Sequence, residues 1–114
     1  MKRRGSNSMR LAAAVIFTII LASDAMAQAS RTDRARDKWM SCVHSAAERL
    51  ALTSQEDPEE IADIALTMCS SGENAAHRAI RRRVRDHAAA AEITSALRQV
   101  IGDTAIRLVI EMRE

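Results

Sequence analysis

The sequence predicts an all-α protein: a small bundle of three to four helices in which a disulfide staples the first helical hairpin. Three observations support this fold class. Apolar residues recur every three or four positions along most of the chain, which is the period of a helix. No two segments qualify as partner strands. The two cysteines, Cys42 and Cys69, lie equally far from one predicted turn. A chain of 114 residues is expected to form one domain.

The first 27 residues have the three parts of a cleavable secretory signal peptide. Three basic residues stand among the first four, an apolar run occupies 11–22, and the segment closes on an Ala-x-Ala motif. A membrane-spanning helix needs about 20 apolar residues, which this run does not reach. We therefore predict cleavage after Ala27, with Ala29 as the alternative, export to the periplasm or medium, and no membrane span after processing.

The charge of the processed chain differs from that of the whole sequence. Residues 28–114 contain 13 Lys and Arg against 14 Asp and Glu, so the net charge of +2 comes from the signal segment. Trp39 is the only aromatic residue after position 27. Nucleic-acid binding is therefore not expected, because it rests on basic charge and aromatic stacking.

Residues 28–33 resemble a polar leader, and the domain is expected to span 34–114. A first helix is predicted from about Arg34 to Leu52. A second begins at Asp57, where Asp57 can cap free amides, Pro58 suits the first position and Glu60 completes a capping box. Gly72 is placed to end it. The predicted stripes are Trp39, Cys42, Val43, Ala46 and Leu50 on the first helix, and Ile61, Ile64, Ala65, Met68 and Cys69 on the second.

A further helix can start at Ser70–Glu73. Its apolar stripe is Ala76, Ile80, Val84, His87, Ala88 and Ala91, which predicts His87 to be a core histidine. The apolar face rotates around Ile93, and Gly102-Asp103 predicts a break. Segment 104–113 fits either a strand or a helix, and we favour a helix because no second strand could pair with it. Its apolar residues lie either in the core or at a partner surface.

The disulfide follows from the geometry of a hairpin. The midpoint between Cys42 and Cys69 falls inside the predicted turn at 53–57, so the two thiols face each other in an antiparallel pair. The same rule pairs Val43 with Met68, Ala46 with Ala65, and Leu50 with Ile61. Closing this loop contributes about 3 kcal/mol to stability. The wide spacing favours a structural bridge over a redox-active pair, whose cysteines are usually close in sequence.

Three short motifs carry a resemblance: Trp39-x-x-Cys42, Pro58-x-Glu60-Ile61-Ala62 and Ala65-Leu66-x-x-Cys69. Over residues 39–69 the chain resembles small exported two-cysteine helical proteins that recur in alphaproteobacterial genomes without an assigned activity. The resemblance implies an exported helical protein and no particular chemistry.

Two surfaces are candidate partner sites. The first is an arginine face consisting of Arg78, Arg81, Arg82 and Arg85. It is either a solvated helix face or a surface that recognises lipid head groups or an acidic partner. The second is an apolar partner segment with Ile106, Val109 and Ile110.

No metal site, cofactor or catalytic centre is predicted. Met40 and His44 share a helix face and suit copper. A disulfide between Cys42 and Cys69 would remove the two thiolates that could complete such a site. None of the three glycines lies in a phosphate-binding motif.

We expect a non-enzymatic periplasmic interaction or binding module for an unknown envelope protein or anionic surface. The alternatives are an envelope-stress chaperone, or a thiol-redox or copper-binding protein. Trp39 is expected to cover the open end of the hairpin near Gly72.

Overall fold

The structure is a computed structural model that describes the backbone of residues 2–114 and the side chains of residues 26, 27 and 29–114. Four helices occupy this part of the chain, without a strand: α1 (Lys2–Thr53), α2 (Pro58–Met68), α3 (Ser70–Arg83) and α4 (His87–Arg113). The predicted all-α class is confirmed, and so is the helical form of segment 104–113.

The chain divides into two compact units, residues 1–30 and residues 31–114. Most of the predicted signal peptide lies outside the residues whose side chains are described. Residues 28–33 belong to α1, so no helix begins at Arg34. Within the portion searched, which is the described one, no helix combines the length and apolar character needed to cross a membrane.

The core of the second unit is formed by the hairpin and the long last helix. α1 contributes Trp39 and Val43, α2 contributes Ile61, and α4 contributes Ile101 and Val109, each no more than 1% exposed. Leu66, Cys69 and Ile80 and seven alanines complete the buried apolar set of the described residues, the alanines being Ala46, Ala47, Ala62, Ala65, Ala76, Ala90 and Ala105. α3 buries only Ala76 and Ile80 and packs against α4.

The buried face of α2 differs from the predicted stripe. Met68 is 57% exposed and Ile64 is 37% exposed, whereas Ala62 and Leu66 are buried. The predicted pairing of Val43 with Met68 is therefore wrong. The reason is that α2 packs against α4 as well as α1, which turns its face toward Leu66, whose Cδ1 lies against Gly102.

Helix boundaries in the C-terminal half also differ from prediction. Gly72 lies inside α3 rather than ending α2, and Gly102 lies buried inside α4 rather than breaking it. The break falls instead at residues 84–86, where Asp86 caps α4 by accepting a hydrogen bond from the Ala88 amide at 3.0 Å. His87 is exposed, so it is not a core histidine.

Trp39 lies against Gly72, as predicted. A Cβ added to Gly72 would lie 3.1 Å from the Trp39 Cα and 3.3 Å from its Cδ1. Only a residue without a side chain lets α3 approach α1 this closely, which explains a glycine in the first turn of a helix.

Candidate functional site

The disulfide forms between Cys42 and Cys69, as the hairpin geometry predicted. Their sulfur atoms are bonded at 2.07 Å and their Cα atoms are 5.9 Å apart. The two halves differ in exposure, because Cys42 is exposed on α1 whereas Cys69 is 1% exposed between α2 and α3. The bridge fixes α1 to the α2–α3 junction, which is the position of a structural staple.

A shallow groove lies beside Cys42. It measures about 490 Å³ and is lined from α1 by Arg34, Ala35, Lys38 and Cys42 and from α3 by Ser71, Gly72 and Ala75. The lining includes two cations and no acid. The sequence does not predict this groove, because the spacing of its apolar residues does not show that α3 folds back along α1.

The predicted arginine face lies at the end of the domain where α3 meets α4. Arg78, Arg81 and Arg82 are exposed on α3, and Arg85 is exposed in the connection to α4. Arg85 therefore does not continue the helical face, although it stays at the same end. Arg83 is exposed there as well. Arg78, Arg82, Arg83 and Arg85 form no ion pair with any described residue.

Positive charge from α1 adds to this cluster. Thr32 lies beside Arg83 and Val84, so the stretch 31–38 of α1 borders α3. We name residues 31–38 and 78–86 together the cationic end. It holds nine Arg or Lys against three Asp, an excess of six positive charges. Within it, Arg36 pairs with Asp33 at 3.5 Å and with Asp37 at 3.3 Å.

An apolar groove opens within the cationic end. It measures about 300 Å³ and is lined by Thr32, Ile80, Arg83, Val84 and Ile93. Ile93 is 41% exposed, so an apolar surface lies next to an arginine. Arg81 is held nearby, because its Nη2 donates to His87 Nε2 at 3.0 Å, which makes the unprotonated nitrogen of that ring the acceptor.

The predicted apolar partner segment is mostly part of the core. Val109 is fully buried and Ile106 packs against the core, while Ile110 is 44% exposed. Val109 is therefore not accessible to a partner, and the exposed large apolar residues of segment 104–113 are Ile110 and Met112.

The hairpin turn is the acidic counterpart of the cationic end. It carries Glu56, Asp57, Glu59, Glu60 and Asp63. The pKa of Glu60 is raised because its protonated carboxyl donates a hydrogen bond to Glu56 and because the charge of Glu56 is close, with desolvation and the charges of Asp57 and Asp63 adding to the effect. Asp57 occupies the N-cap position without a side-chain cap bond, so the predicted capping box does not form.

Arg113 ties the end of α4 to this turn. Its Nη1 donates to the Glu56 carbonyl at 2.6 Å and its Nη2 donates to the Ser54 carbonyl at 2.9 Å. Such hydrogen bonds from a charged donor are stronger than neutral ones. No local sequence signal could have revealed a contact between residues so far apart in the chain.

Polar side chains between α3 and α4 bind each other. Arg98 pairs with Glu73, and His77 Nδ1 lies 2.8 Å from Thr94 Oγ1. Thr94 also donates to the Ala90 carbonyl at 2.9 Å, so His77 Nδ1 is the donor in the histidine contact. These contacts explain how the polar helix α3 holds to α4, and they describe a helix interface rather than a ligand site.

Met40 and His44 are the two residues that were considered for copper. Met40 packs against the core, and the described residues include no group of three or more His, Cys, Asp or Glu that could hold a metal ion. His44 Nε2 and Trp39 Nε1 are buried nitrogens without a hydrogen-bond partner among the described residues.

No family model, no curated protein and no solved structure matches the chain.

Proposed function

We propose that this protein is an exported, non-enzymatic binding module whose cationic end binds an acidic segment of an envelope protein. The observation that carries the proposal is the cationic end itself: six excess positive charges at one pole of the domain, with four arginines left without an ion pair in the described structure. Arginine suits this role because its planar group binds carboxylates in two-pronged geometry.

A protein segment fits better than a flat lipid surface. The groove beside Arg83 is concave and about 300 Å³ in volume, which accommodates one apolar side chain. Ile93 supplies exposed apolar wall next to the arginines. Acidic residues flanking one apolar anchor would therefore match both the charge and the shape of this end.

Export is supported by two independent features. The first 27 residues have the pattern of a signal peptide. The disulfide is consistent with an oxidising compartment, where such bonds persist. Expression with mass spectrometry of the exported product tests this directly, and we expect a chain that begins at Gln28. Retention of the first 27 residues on the cell-associated protein would contradict it.

The binding test uses a fluorescent acidic peptide with one central leucine, and its serine analogue, followed by anisotropy at low and physiological salt. Replacing Arg82 and Arg83 by glutamine should weaken binding of the leucine peptide roughly tenfold, since two exposed charge pairs that contribute about 0.7 kcal/mol each add up to that factor. The matched control removes two exposed arginines elsewhere, Arg49 and Arg107. Ile93→Ser should abolish the preference for leucine over serine.

Three outcomes would overturn the proposal. Equal losses of affinity in the Arg82/Arg83 variant and the Arg49/Arg107 control would show general electrostatic attraction rather than binding at the cationic end. Equal affinity of the leucine and serine peptides would remove the groove from the interaction. Binding to phosphatidylglycerol vesicles without binding to either peptide would indicate a lipid surface instead. Circular dichroism of each variant checks that the helices are retained.

A further inference from the structure

We propose that Cys42 is a thiol–disulfide exchange site for small anionic thiols. This inference is independent of the acidic partner proposed above. It starts from the asymmetry of the disulfide, in which Cys42 is exposed and Cys69 is 1% exposed. Cys42 also lines the groove described above, so an incoming thiolate in that groove meets Cys42 rather than the buried Cys69. Access decides which sulfur of a disulfide is attacked.

The groove beside Cys42 selects the charge of the incoming thiol. Arg34 and Lys38 lie eight and four positions before Cys42, so all three project from one face of α1. The opposite wall is formed by Ser71, Gly72 and Ala75, which present no negative charge. A volume of about 490 Å³ admits a small peptide thiol, and the two cations would attract a thiolate that carries a further carboxylate or sulfonate.

The leaving sulfur lies at the junction of two helices. Cys69 is both the C-cap residue of α2 and the N-cap residue of α3, so the negative end of one helix dipole and the positive end of the other meet there. The selectivity of the exchange therefore rests on access to Cys42 and on the charge of the groove beside it.

The exchange balances without any further reactant. The thiolate of the small molecule attacks Cys42 Sγ, the bond between Cys42 and Cys69 breaks, and its electron pair remains on Cys69 Sγ. The products are a mixed disulfide at Cys42 and a Cys69 thiolate, which takes a proton from water or attacks Cys42 to restore the staple. One thiol is oxidised to the level of a disulfide and one half of the original disulfide is reduced.

The test compares two thiols of similar size and opposite charge, 2-mercaptoethanesulfonate and cysteamine, on the oxidised protein. Reactions are quenched with acid, the released cysteine is alkylated, and peptide mapping by mass spectrometry locates the adduct. We expect the adduct on Cys42 and the alkyl group on Cys69. The rate per thiolate should be roughly three- to tenfold higher for the sulfonate at low salt, because two nearby cations act through partly screened solvent.

Lys38→Gln should bring the rate ratio of the two thiols closer to one, whereas Arg107→Gln, which removes an exposed charge on α4, should leave it unchanged. An adduct on Cys69, equal rates for the two thiols, or an equal effect of both substitutions would overturn the proposal. Reaction only at the rate of global unfolding, measured from hydrogen exchange of the core amides, would overturn it as well.

Discussion

Single residues decide where the helices of this domain begin. Asp57 and Asp86 both precede helices, but only Asp86 accepts a hydrogen bond from an amide in the first turn. Asp57 is surrounded by other carboxylates and makes no side-chain cap bond. Pro58 predicted the start of α2, whereas the cap at Asp86 was not predicted, because the apolar stripe assigned to α3 continued across it. The signal for a helix start at this point was Asp86 placed two residues before the alanine run 88–91.

Replacing Asp86 by alanine should lower the free energy of unfolding by about 1 kcal/mol, because the Ala88 amide loses its partner at the N-terminus of a long helix. Urea denaturation followed by circular dichroism measures the change. Asp86→Asn keeps a side-chain acceptor and should retain most of the stability. Equal losses in the two variants would show that the cap bond contributes nothing.

The acidic turn predicts a pH dependence with a definite sign. The pKa of Glu60 is raised above its ordinary value of 4.5, mainly through Glu56. A raised carboxyl pKa favours the folded state below pH 4.5, and this contribution is lost as the pH rises through the raised value. Glu60→Gln should therefore increase stability at neutral pH and flatten its decline above pH 4.5, most clearly at low salt. Glu92→Gln, on an exposed part of α4, is the control, and an equal gain there would contradict the assignment.

At the scale of elements, helical period alone predicted most of the helices, but only some of their buried faces and ends. The α1 stripe was right at Trp39 and Val43 because that helix packs through one continuous face. The α2 stripe was wrong at Met68 because α2 contacts two helices, and no single-sequence pattern shows which neighbours a helix will have. Both internal glycines were taken as helix ends because glycine disfavours helices in isolation. In the folded domain close packing outweighs that preference.

The two glycines should respond differently to alanine. At Gly72 the new methyl group meets the Trp39 backbone at 3.1 Å, which cannot move without shifting α1. Gly72→Ala should therefore destabilise the domain by about 1–3 kcal/mol. At Gly102 the nearest atom is Leu66 Cδ1 at 3.3 Å, the end of a flexible side chain, so Gly102→Ala should be close to neutral or stabilising by up to about 1 kcal/mol. Paired chemical denaturation curves test the contrast, and similar losses at both positions would refute it.

At the scale of the whole molecule, the disulfide and the charge distribution define the domain. The staple was predictable because two cysteines equidistant from a turn must meet in an antiparallel hairpin. The cationic end was predictable only in part. Its arginines on α3 are adjacent in sequence, whereas Arg34 and Lys38 join them because α3 folds back along α1, a tertiary relation that no local pattern contains.

Removing the bridge should cost about 3 kcal/mol, since it closes a loop of 26 intervening residues in the unfolded chain. The variant with Cys42→Ala and Cys69→Ala should unfold at a lower urea concentration and at a lower temperature than the oxidised protein. Reductant should shift the wild-type curve toward the variant and leave the variant unchanged. Coincident curves for oxidised protein and variant would show that the staple carries no stability.

The abundance of alanine in the buried set has a thermodynamic consequence. Among the residues that the structure describes, seven of the fifteen buried apolar ones are alanines, whose methyl groups remove little apolar surface from water. The heat capacity change of unfolding scales with that surface. Calorimetry should therefore give a value below the roughly 12–15 cal/mol/K per residue of ordinary domains, and a shallow curve of stability against temperature, so that the protein loses little stability on cooling.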